Sequence, residues 1–427
     1  MRAVEPCSRC GRTLREVVRG LGLEARRGRE PFCRVPGCPV YGRLAGFLPA
    51  REVRGTSVYG PSPPSLFVGR VGWPVVSAGP LVPPGEVVDA ATMDDPAAWT
   101  KLDLGEVLAL RSGLVRGKAR VRVHDAARLA DPSGALVASQ ELAMSSRPAH
   151  TELTLSKPVS FALGPVLHGF AAPTGPSVTV RRAVLTENTS VPRRVDAAVA
   201  DVHASALDAI REMYHGGVSP YHIQRVLSVG LLGRARARRF VPTRWSVTAT
   251  DDQIGKVLMP RVRDLQPLGE VELRRADLHG NRFLVVLLPG PWKYEMLEAW
   301  MASERGVRTS MVLADREGTD GRTTYADSIT GAYYAARLAV LEHLLGRRRS
   351  ATALVLREIT DDYYAPAGVW VIREGVRAAM LAPPERPADE TTLLGALRAW
   401  APQIPFAERS AFLTERRFQR TLDAFGA

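Results

Sequence analysis

The sequence contains no run of about 18 uncharged apolar residues, which is the length that a membrane-spanning helix needs. Glu5 and Cys7 also lie where a signal peptide would have its apolar segment. We therefore expect a cytoplasmic protein that has no membrane partner. Of the 427 residues, 45% are hydrophobic and 24% are charged, which is typical of a globular protein that can bury a core. This composition excludes global disorder, collagen and coiled coil as the main architecture.

Acidic residues and lysine are both scarce. The chain has 57 Lys and Arg against 44 Asp and Glu, a formal net charge of +13, and only five of the 57 cations are lysines. A preference for arginine over lysine exchanges one cation for another and cannot create net charge, so the excess needs a separate cause. A polyanionic partner such as DNA is one explanation. A generally basic protein without such a partner is the other.

All four cysteines lie in the first 38 residues, where they are arranged in two closely spaced pairs. Two pairs of thiolates separated by a loop match the tetrahedral coordination of zinc, and a site closed by four thiolates is structural. We therefore expect a C4-type zinc module over residues 1–50, with Zn²⁺ as its cofactor. An iron–sulfur cluster and two disulfides are the alternatives. The expected ligands are Cys7, Cys10, Cys33 and Cys38.

The rest of the chain predicts an α+β fold, with a mixed body followed by a flexible C-terminal tail. Alternating and β-branched residues predict strands over 119–124, 135–144, 177–185, 283–288, 309–314 and 353–359. Helical spacing of apolar residues predicts helices over 196–214, 292–301, 325–345 and 368–380, and a further helix that Ser219 caps. A Pro-Gly-Pro sequence at 289–291 marks the boundary that we place between 51–288 and 289–400, and the tail takes 401–427.

One long stretch of the body, from Met213 to Thr250, has no acidic residue and interleaves arginines with Phe240 and Trp245. Arginine matches phosphate oxygens and aromatic rings stack on bases, so one interpretation is contact with nucleic acid. A solvated loop beside a buried tryptophan is the other. Arg70 lies in a second candidate, a loop rich in Gly and Pro that forms either a nucleotide cradle or a plain turn. The candidate nucleic-acid or nucleotide ligands are Arg70, Arg234, Arg236, Arg238, Arg239 and Arg244.

No established catalytic motif is present, and we assign no catalytic residue. The best candidates are carboxylates near the ends of predicted strands, which would form a two-metal nuclease site if they converged. Structural ion pairs with nearby arginines are the alternative. These carboxylates are Asp315, Glu317, Asp320, Glu358, Asp361 and Asp362.

The last nine residues contain Gln419, Leu422 and Phe425, a spacing typical of peptides that bind the sliding clamp PCNA (the PIP motif). A single 3₁₀ turn would place Leu422 and Phe425 on one side, ready to fill an apolar pocket. Gly426 stands where such peptides usually have a second aromatic residue. We expect PCNA as a partner, and a last helical turn packed on the body is the alternative.

Several longer sequences are similar to those of one family. They read PPSLFVGR at 63–70, VPTRWSVTA at 241–249, GAYYAAR at 331–337 and PAGVW at 366–370. With the four cysteines and the clamp-type peptide they extend over nearly the whole chain, and the VPTRWS run is the most specific of them. The chain therefore resembles the archaeal Nre family of DNA repair proteins.

The resemblance implies a protein of archaeal DNA damage repair that docks on PCNA, acts alongside the UvrABC excision proteins and associates with the nucleoid when it is clamp-bound. It also implies that 51–288 and 289–400 are the family's N-terminal and C-terminal regions. It implies no catalytic activity, so whether the protein is an enzyme stays open. A metal-dependent nuclease or nucleotide-using repair enzyme is one alternative, and a non-catalytic adaptor between clamp and repair proteins is another.

Overall fold

The computed structural model describes residues 55–126, 133–159, 169–304 and 307–416, together with Gly11 and Val53. Its strands are β1 (Ser57–Ser62), β2 (Leu66–Val68), β3 (Val75–Val82), β4 (Val115–Arg122), β5 (Ala149–Leu155), β6 (Ser177–Leu185), β7 (Glu272–Leu278), β8 (Asn281–Leu288), β9 (Lys293–Glu304), β10 (Val307–Glu317) and β11 (Thr352–Ile359). Its α-helices are α1 (Pro96–Trp99), α2 (Leu104–Ser112), α3 (Ala135–Met144), α4 (Arg193–Ala200), α5 (Ala206–His215), α6 (Pro220–Ser228), α7 (Thr243–Arg263), α8 (Gly331–Arg347), α9 (Trp370–Leu381), α10 (Glu390–Trp400) and α11 (Phe406–Arg409). The fold is α+β, as the sequence predicts.

The described residues divide into two compact units. The first unit extends to Ile254 and includes Tyr364–Trp370, and the second contains Gly255–Tyr363 and the residues from Val371 onward. The Pro-Gly-Pro sequence at 289–291, where we placed a boundary, instead connects β8 and β9 within one sheet of the second unit. None of the described helices is both long enough and apolar enough to cross a membrane.

The first unit is built on a six-stranded mixed sheet with the order β1-β5-β6-β4-β3-β2. Side chains from one face of this sheet, such as Val121 of β4, form a core with Leu136 of α3. Strands β3 and β4 approach so closely at Gly79 that a Cβ there would lie 1.8 Å from the Gly117 carbonyl oxygen. Glycine is therefore required at this position.

The second unit contains a five-stranded sheet with the order β10-β9-β11-β8-β7. Leu284 and Val286 of β8 lie in its core, in one cluster with Leu397 of α10. On α8, the Tyr333 carbonyl oxygen accepts a hydrogen bond of 3.2 Å from the Tyr294 hydroxyl of β9. Strand β9 therefore joins the sheet to a helix as well as to its neighbouring strands.

Two elements differ in type from the prediction. Residues 135–144 form helix α3 and not a strand, and residues 292–301 lie largely in strand β9 and not in a helix. Helix α3 begins after Gly134, whose φ of +69° turns the chain, and Gln140 ties it to the unit by donating to the Val229 carbonyl oxygen at 3.0 Å. Strand β9 is held by pairing with β10 on one side and β11 on the other, which outweighs the weak helical pattern of its side chains.

Two predicted helices have different bounds. The segment 196–214 is divided between α4 and α5, and the helix expected from residue 325 begins only at Gly331. The strand over 177–185 is confirmed as β6, and Ser219 is confirmed as the cap of α6 because its side chain accepts a hydrogen bond from the His222 backbone N–H.

Candidate nucleic-acid interface

Strand β4 carries a cation at every second position. Arg116, Lys118, Arg120 and Arg122 alternate with core residues such as Val121. Because successive side chains of a strand point to opposite faces, the four cations share the face of the sheet that lies away from α3. Arg116 is buried, Lys118 is half-buried, and the other two are exposed.

The neighbouring strand adds to this charge. Strand β6 is hydrogen-bonded to β4, and Val180 and Ala183 of β6 lie in the core. Arg181 and Arg182, between them, are exposed. The exposed and half-buried cations of the two strands form what we call the cationic face, which consists of Lys118, Arg120, Arg122, Arg181 and Arg182.

Carboxylates do not neutralise the cationic face within the described part of the chain. None of its five side chains forms an ion pair there, and the outward positions of the described strands of this sheet hold a single carboxylate, Glu152 of β5. Partial burial, followed by the charges of Arg116 and Lys157, lowers the pKa of Lys118. Like charges held this close repel one another, so an anionic ligand would be favoured on this face.

Arg116 connects the cationic face to the β2–β3 hairpin. Its Nη2 donates to the carbonyl oxygen of Ser77 at 3.1 Å and to the Ser77 hydroxyl at 3.0 Å. Its Cζ lies 4.1 Å from the centre of the Phe67 ring. Burial lowers the pKa of Arg116 to about 10, so this side chain stays charged at neutral pH.

The tip of that hairpin is exposed and contains Arg70, Val71, Gly72 and Trp73. Gly72 has a φ of +89°, and a Cβ there would lie 2.7 Å from the Val75 carbonyl oxygen. The tight turn therefore requires glycine, and it holds an arginine and a tryptophan in solvent. The Arg70 loop is therefore a turn with an exposed arginine, and nucleotide binding by this loop stays a prediction.

Two of the sequences that carry the family resemblance, 63–70 and 241–249, are joined in the first unit. The backbone N–H of Val68 donates to the Thr243 hydroxyl at 2.9 Å in a buried position. Beyond this bond, the rings of Trp73 and Trp245 form an edge-to-face pair with centroids 5.0 Å apart and an interplanar angle of 60°. Both rings are exposed, so Trp245 is not the buried tryptophan of the alternative interpretation.

Phe170 joins the 241–249 sequence to a third one, 366–370. The Cζ atom of Arg244 lies 3.8 Å from the centre of the Phe170 ring. The Phe170 carbonyl oxygen accepts a hydrogen bond of 2.9 Å from the backbone N–H of Val369. Segments that are far apart in the sequence therefore lie side by side in the first unit.

Val123, which directly follows β4, is bonded to both the hairpin and the basic stretch. Its backbone N–H donates to the Pro74 carbonyl oxygen at 3.0 Å, and its carbonyl oxygen accepts from the Phe240 N–H at 2.9 Å. Arg122 and Arg239, which precede Val123 and Phe240, consequently lie at the same end of the sheet. The cationic face, the hairpin tip and the basic stretch are therefore adjacent.

The six arginines predicted as ligands have different environments. Arg238 is used within the protein, since its Nε donates to the Gly233 carbonyl oxygen at 2.9 Å and its Nη2 donates to the Val199 carbonyl oxygen at 2.7 Å. Arg244 is half-buried on Phe170. The others are exposed: Arg70, Arg234, Arg236 and Arg239.

The candidate nuclease carboxylates do not converge. Within the described residues there is no group of three or more His, Cys, Asp or Glu that could hold a metal ion. Four of the six carboxylates form ion pairs with arginines, which is the structural alternative that we considered. These pairs are Asp315 with Arg322, Glu317 with Arg337, Asp320 with Arg263 and Glu358 with Arg282.

Two sets of predicted site residues lie outside the described part of the chain. They are the four cysteines and the C-terminal residues Gln419, Leu422 and Phe425. The cationic face, in contrast, is described but was not predicted. Its signal was present in the sequence as RGKARVR at 116–122, where cations alternate with small or apolar residues.

The sequence models of both regions of one family match this chain. The model described as Archaeal Nre, N-terminal matches residues 32–304, and that described as Archaeal Nre, C-terminal matches residues 317–425. The chain is 40% identical to the DNA repair protein NreA of Haloferax volcanii over 336 residues, which cover 77% of this chain and 79% of that protein.

Two proteins of Archaeoglobus fulgidus are also similar. The DNA repair protein NreA is 35% identical, with 83% of this chain and 87% of that protein covered. The DNA repair protein NreB is 34% identical, with 82% and 86% covered. No solved structure matches the chain at a significant level. The matches extend over most of the sequence, and they show that the protein belongs to the archaeal Nre family.

Proposed function

We propose that this protein is a DNA repair factor that contacts DNA phosphates through the cationic face and the exposed arginines beside it. The observation that carries the proposal is the set of cations on β4 and β6 that has no carboxylate partner within the described residues. Lys and Arg side chains gain affinity for DNA by releasing the counterions of its phosphates. The names of the relatives in H. volcanii and A. fulgidus, which are DNA repair proteins, support DNA as the polyanion.

The salt dependence of DNA affinity tests this proposal. If each of the five cations of the face neutralises one phosphate, a plot of log affinity against log salt concentration has a slope of about −4.5 on duplex DNA. Fluorescence anisotropy with a labelled duplex measures the slope, and an RNA duplex of the same sequence serves as the control for the type of nucleic acid. A flat salt response would contradict the proposal, and tighter binding of RNA would assign the face to RNA.

We further propose that the C-terminal residues Gln419, Leu422 and Phe425 recruit the protein to PCNA. Their spacing supports this part of the proposal. The two apolar side chains would fill a pocket of the clamp while Gln419 forms a hydrogen bond at its rim. Because Gly426 follows Phe425, one apolar contact of the usual peptide is missing and the affinity is expected to be lower.

Clamp binding should be lost when Leu422 and Phe425 are both replaced by alanine. Burial of each side chain contributes about 1.5–3 kcal/mol, so the double variant is expected to bind at least about a hundredfold more weakly. A pull-down and a titration with purified PCNA measure the effect. The matched control replaces Arg420 and Asp423 by alanine, since both lie between the pattern positions and their joint loss leaves the net charge unchanged. Binding of the Leu422→Ala, Phe425→Ala protein at the level of this control would remove the recruitment proposal.

The remaining parts of the proposal concern the N-terminal segment and the pathway. Zinc held by Cys7, Cys10, Cys33 and Cys38 would stabilise this module, because a segment of about 50 residues can bury only a small core. The protein would act alongside the UvrABC excision proteins, with PCNA supplying its location and the cationic face its contact with DNA. A non-catalytic adaptor would instead bind the clamp, have no affinity for DNA and catalyse no reaction.

A further inference from the structure

We propose that Trp73 and Trp245 form a stacking site for an unpaired nucleobase, so that the preferred ligand is DNA with single-stranded or extruded bases. The inference deepens the proposed function and rests on it, because the neighbouring arginines would hold the phosphates that flank the stacked base. It assigns the ligand class, which the cationic face alone leaves open.

The exposure of the two rings distinguishes them from other tryptophans. Trp73 and Trp245 are 44% and 42% exposed, whereas Trp99, Trp292 and Trp370 are buried. Neither exposed indole N–H has a hydrogen-bond partner within the described residues. The two partly exposed rings contact each other, and contiguous exposed apolar groups mark sites of interaction. The pair therefore offers a ligand a contiguous aromatic surface.

The pair is also held in place by backbone contacts. The backbone N–H of Val68, the last residue of β2, is bonded to the Thr243 hydroxyl. Trp245 lies in the first turn of α7, where its backbone N–H donates to the Pro242 carbonyl oxygen at 2.7 Å. The edge-to-face geometry uses the edge of one ring and leaves aromatic surface open to solvent. A flat base can stack on this surface with little ordering cost, because the rings are already positioned.

The charge around the pair selects a nucleic acid over an apolar peptide. No Asp or Glu occurs in the hairpin tip or anywhere from Met213 to Thr250. Arg70 lies on the same tip as Trp73, and Arg122 and Arg239 lie at the adjoining end of the sheet. An aromatic surface bordered by cations is the arrangement that binds single strands, with rings for the bases and guanidinium groups for the phosphates.

The test compares single-stranded and duplex DNA. The Trp73→Ala, Trp245→Ala variant should bind a short oligothymidylate about tenfold to a hundredfold more weakly than the natural protein, because stacking of each base contributes substantially. Binding of a duplex of the same length should change by less than about twofold, since duplex bases are already stacked and the cationic face is intact. The Trp73→Phe, Trp245→Phe variant keeps aromatic surface and should retain most of the affinity for the single strand.

The outcomes separate this inference from the proposed function. If the natural protein binds neither DNA form, the proposed function fails. Suppose that the natural protein binds both DNA forms. If the alanine variant keeps both affinities, or loses both to the same extent, the stacking site is wrong and the proposed DNA contact of the cationic face is unaffected. If the alanine variant keeps its oligothymidylate affinity but loses binding to PCNA or a UvrABC protein, the pair is a protein-docking site.

Thermal unfolding shows whether the alanine variant is folded. If it is not, the natural protein is tested with an oligothymidylate in which single nucleotides are abasic. Loss of affinity at one abasic position supports the stacking site, and equal affinity at every position overturns it.

Discussion

Replacement of both Arg120 and Arg122 by glutamate is expected to weaken duplex DNA binding about a hundredfold at low salt. It should also reduce the magnitude of the salt slope by about two, because two phosphate contacts are lost. Both side chains are exposed on the outward face of β4, and neither forms an ion pair within the described residues. The substitutions therefore break no ion pair within the described residues, and they relieve repulsion among like charges. The melting temperature should consequently not fall.

The control for this variant must change the net charge equally. Arg193 and Arg211 are exposed on helices α4 and α5 and not on a strand of the sheet, and their replacement by glutamate serves this purpose. Neither residue belongs to the cationic face, so the control should bind DNA within about threefold of the natural protein if that face makes the phosphate contacts. Equal losses in the two variants would show that binding depends on overall charge and not on the cationic face.

The Glu317→Ala variant is expected to be the most destabilising change among those considered, costing about 3–5 kcal/mol in the free energy of unfolding. Glu317 of β10 and Arg337 of α8 form an ion pair of 2.8 Å, and their side chains are 0% and 1% exposed. Removal of the carboxylate breaks this buried ion pair of the guanidinium. The ring of Tyr334, 5.3 Å from the Arg337 Cζ, cannot replace a full negative charge.

Chemical denaturation measures this loss, with Glu415→Ala as the control. Glu415 is 56% exposed and lies 3.6 Å from Arg316 and 4.0 Å from Lys293. An exposed pair of this kind contributes at most about 1 kcal/mol, so the control should be close to the natural protein in stability. If Glu317→Ala were as stable as the control and instead abolished cleavage of damaged DNA, the structural role of Glu317 would be wrong and the nuclease hypothesis would return.

The fold was predictable where local sequence and tertiary packing agree. Strand β6 follows from alternating residues over 177–185, and helix α6 follows from Ser219 before Pro220, because a cap and a first-turn proline act within one turn. Prediction failed in α3 and β9. In β9, Glu295 and Glu298 are both buried, and their partners Ser410 and Arg357 lie far away in the sequence.

The candidate site was predictable only in part. The acid-free stretch from Met213 to Thr250 indicated a basic surface, and its exposed arginines agree with that. Arg238 differs from the predicted exposed ligands because its guanidinium donates to the Val199 backbone carbonyl oxygen of α4. No local sequence pattern reveals such a contact. The pairing of Trp73 with Trp245 was equally hidden, since it depends on the bond that fixes the hairpin to Thr243.

The sequence by itself determined the family, the α+β class and the excess of positive charge, because each of these depends on residue type and order alone. Only the tertiary structure decided where that charge is concentrated. The alternation along β4 becomes a charged face when α3 covers the opposite side of the sheet. The same folding places carboxylates such as Glu317 beside arginines in the second unit, because a buried charge is stable only with a partner. Distant segments therefore acquired their roles through packing, which no single stretch of residues encodes.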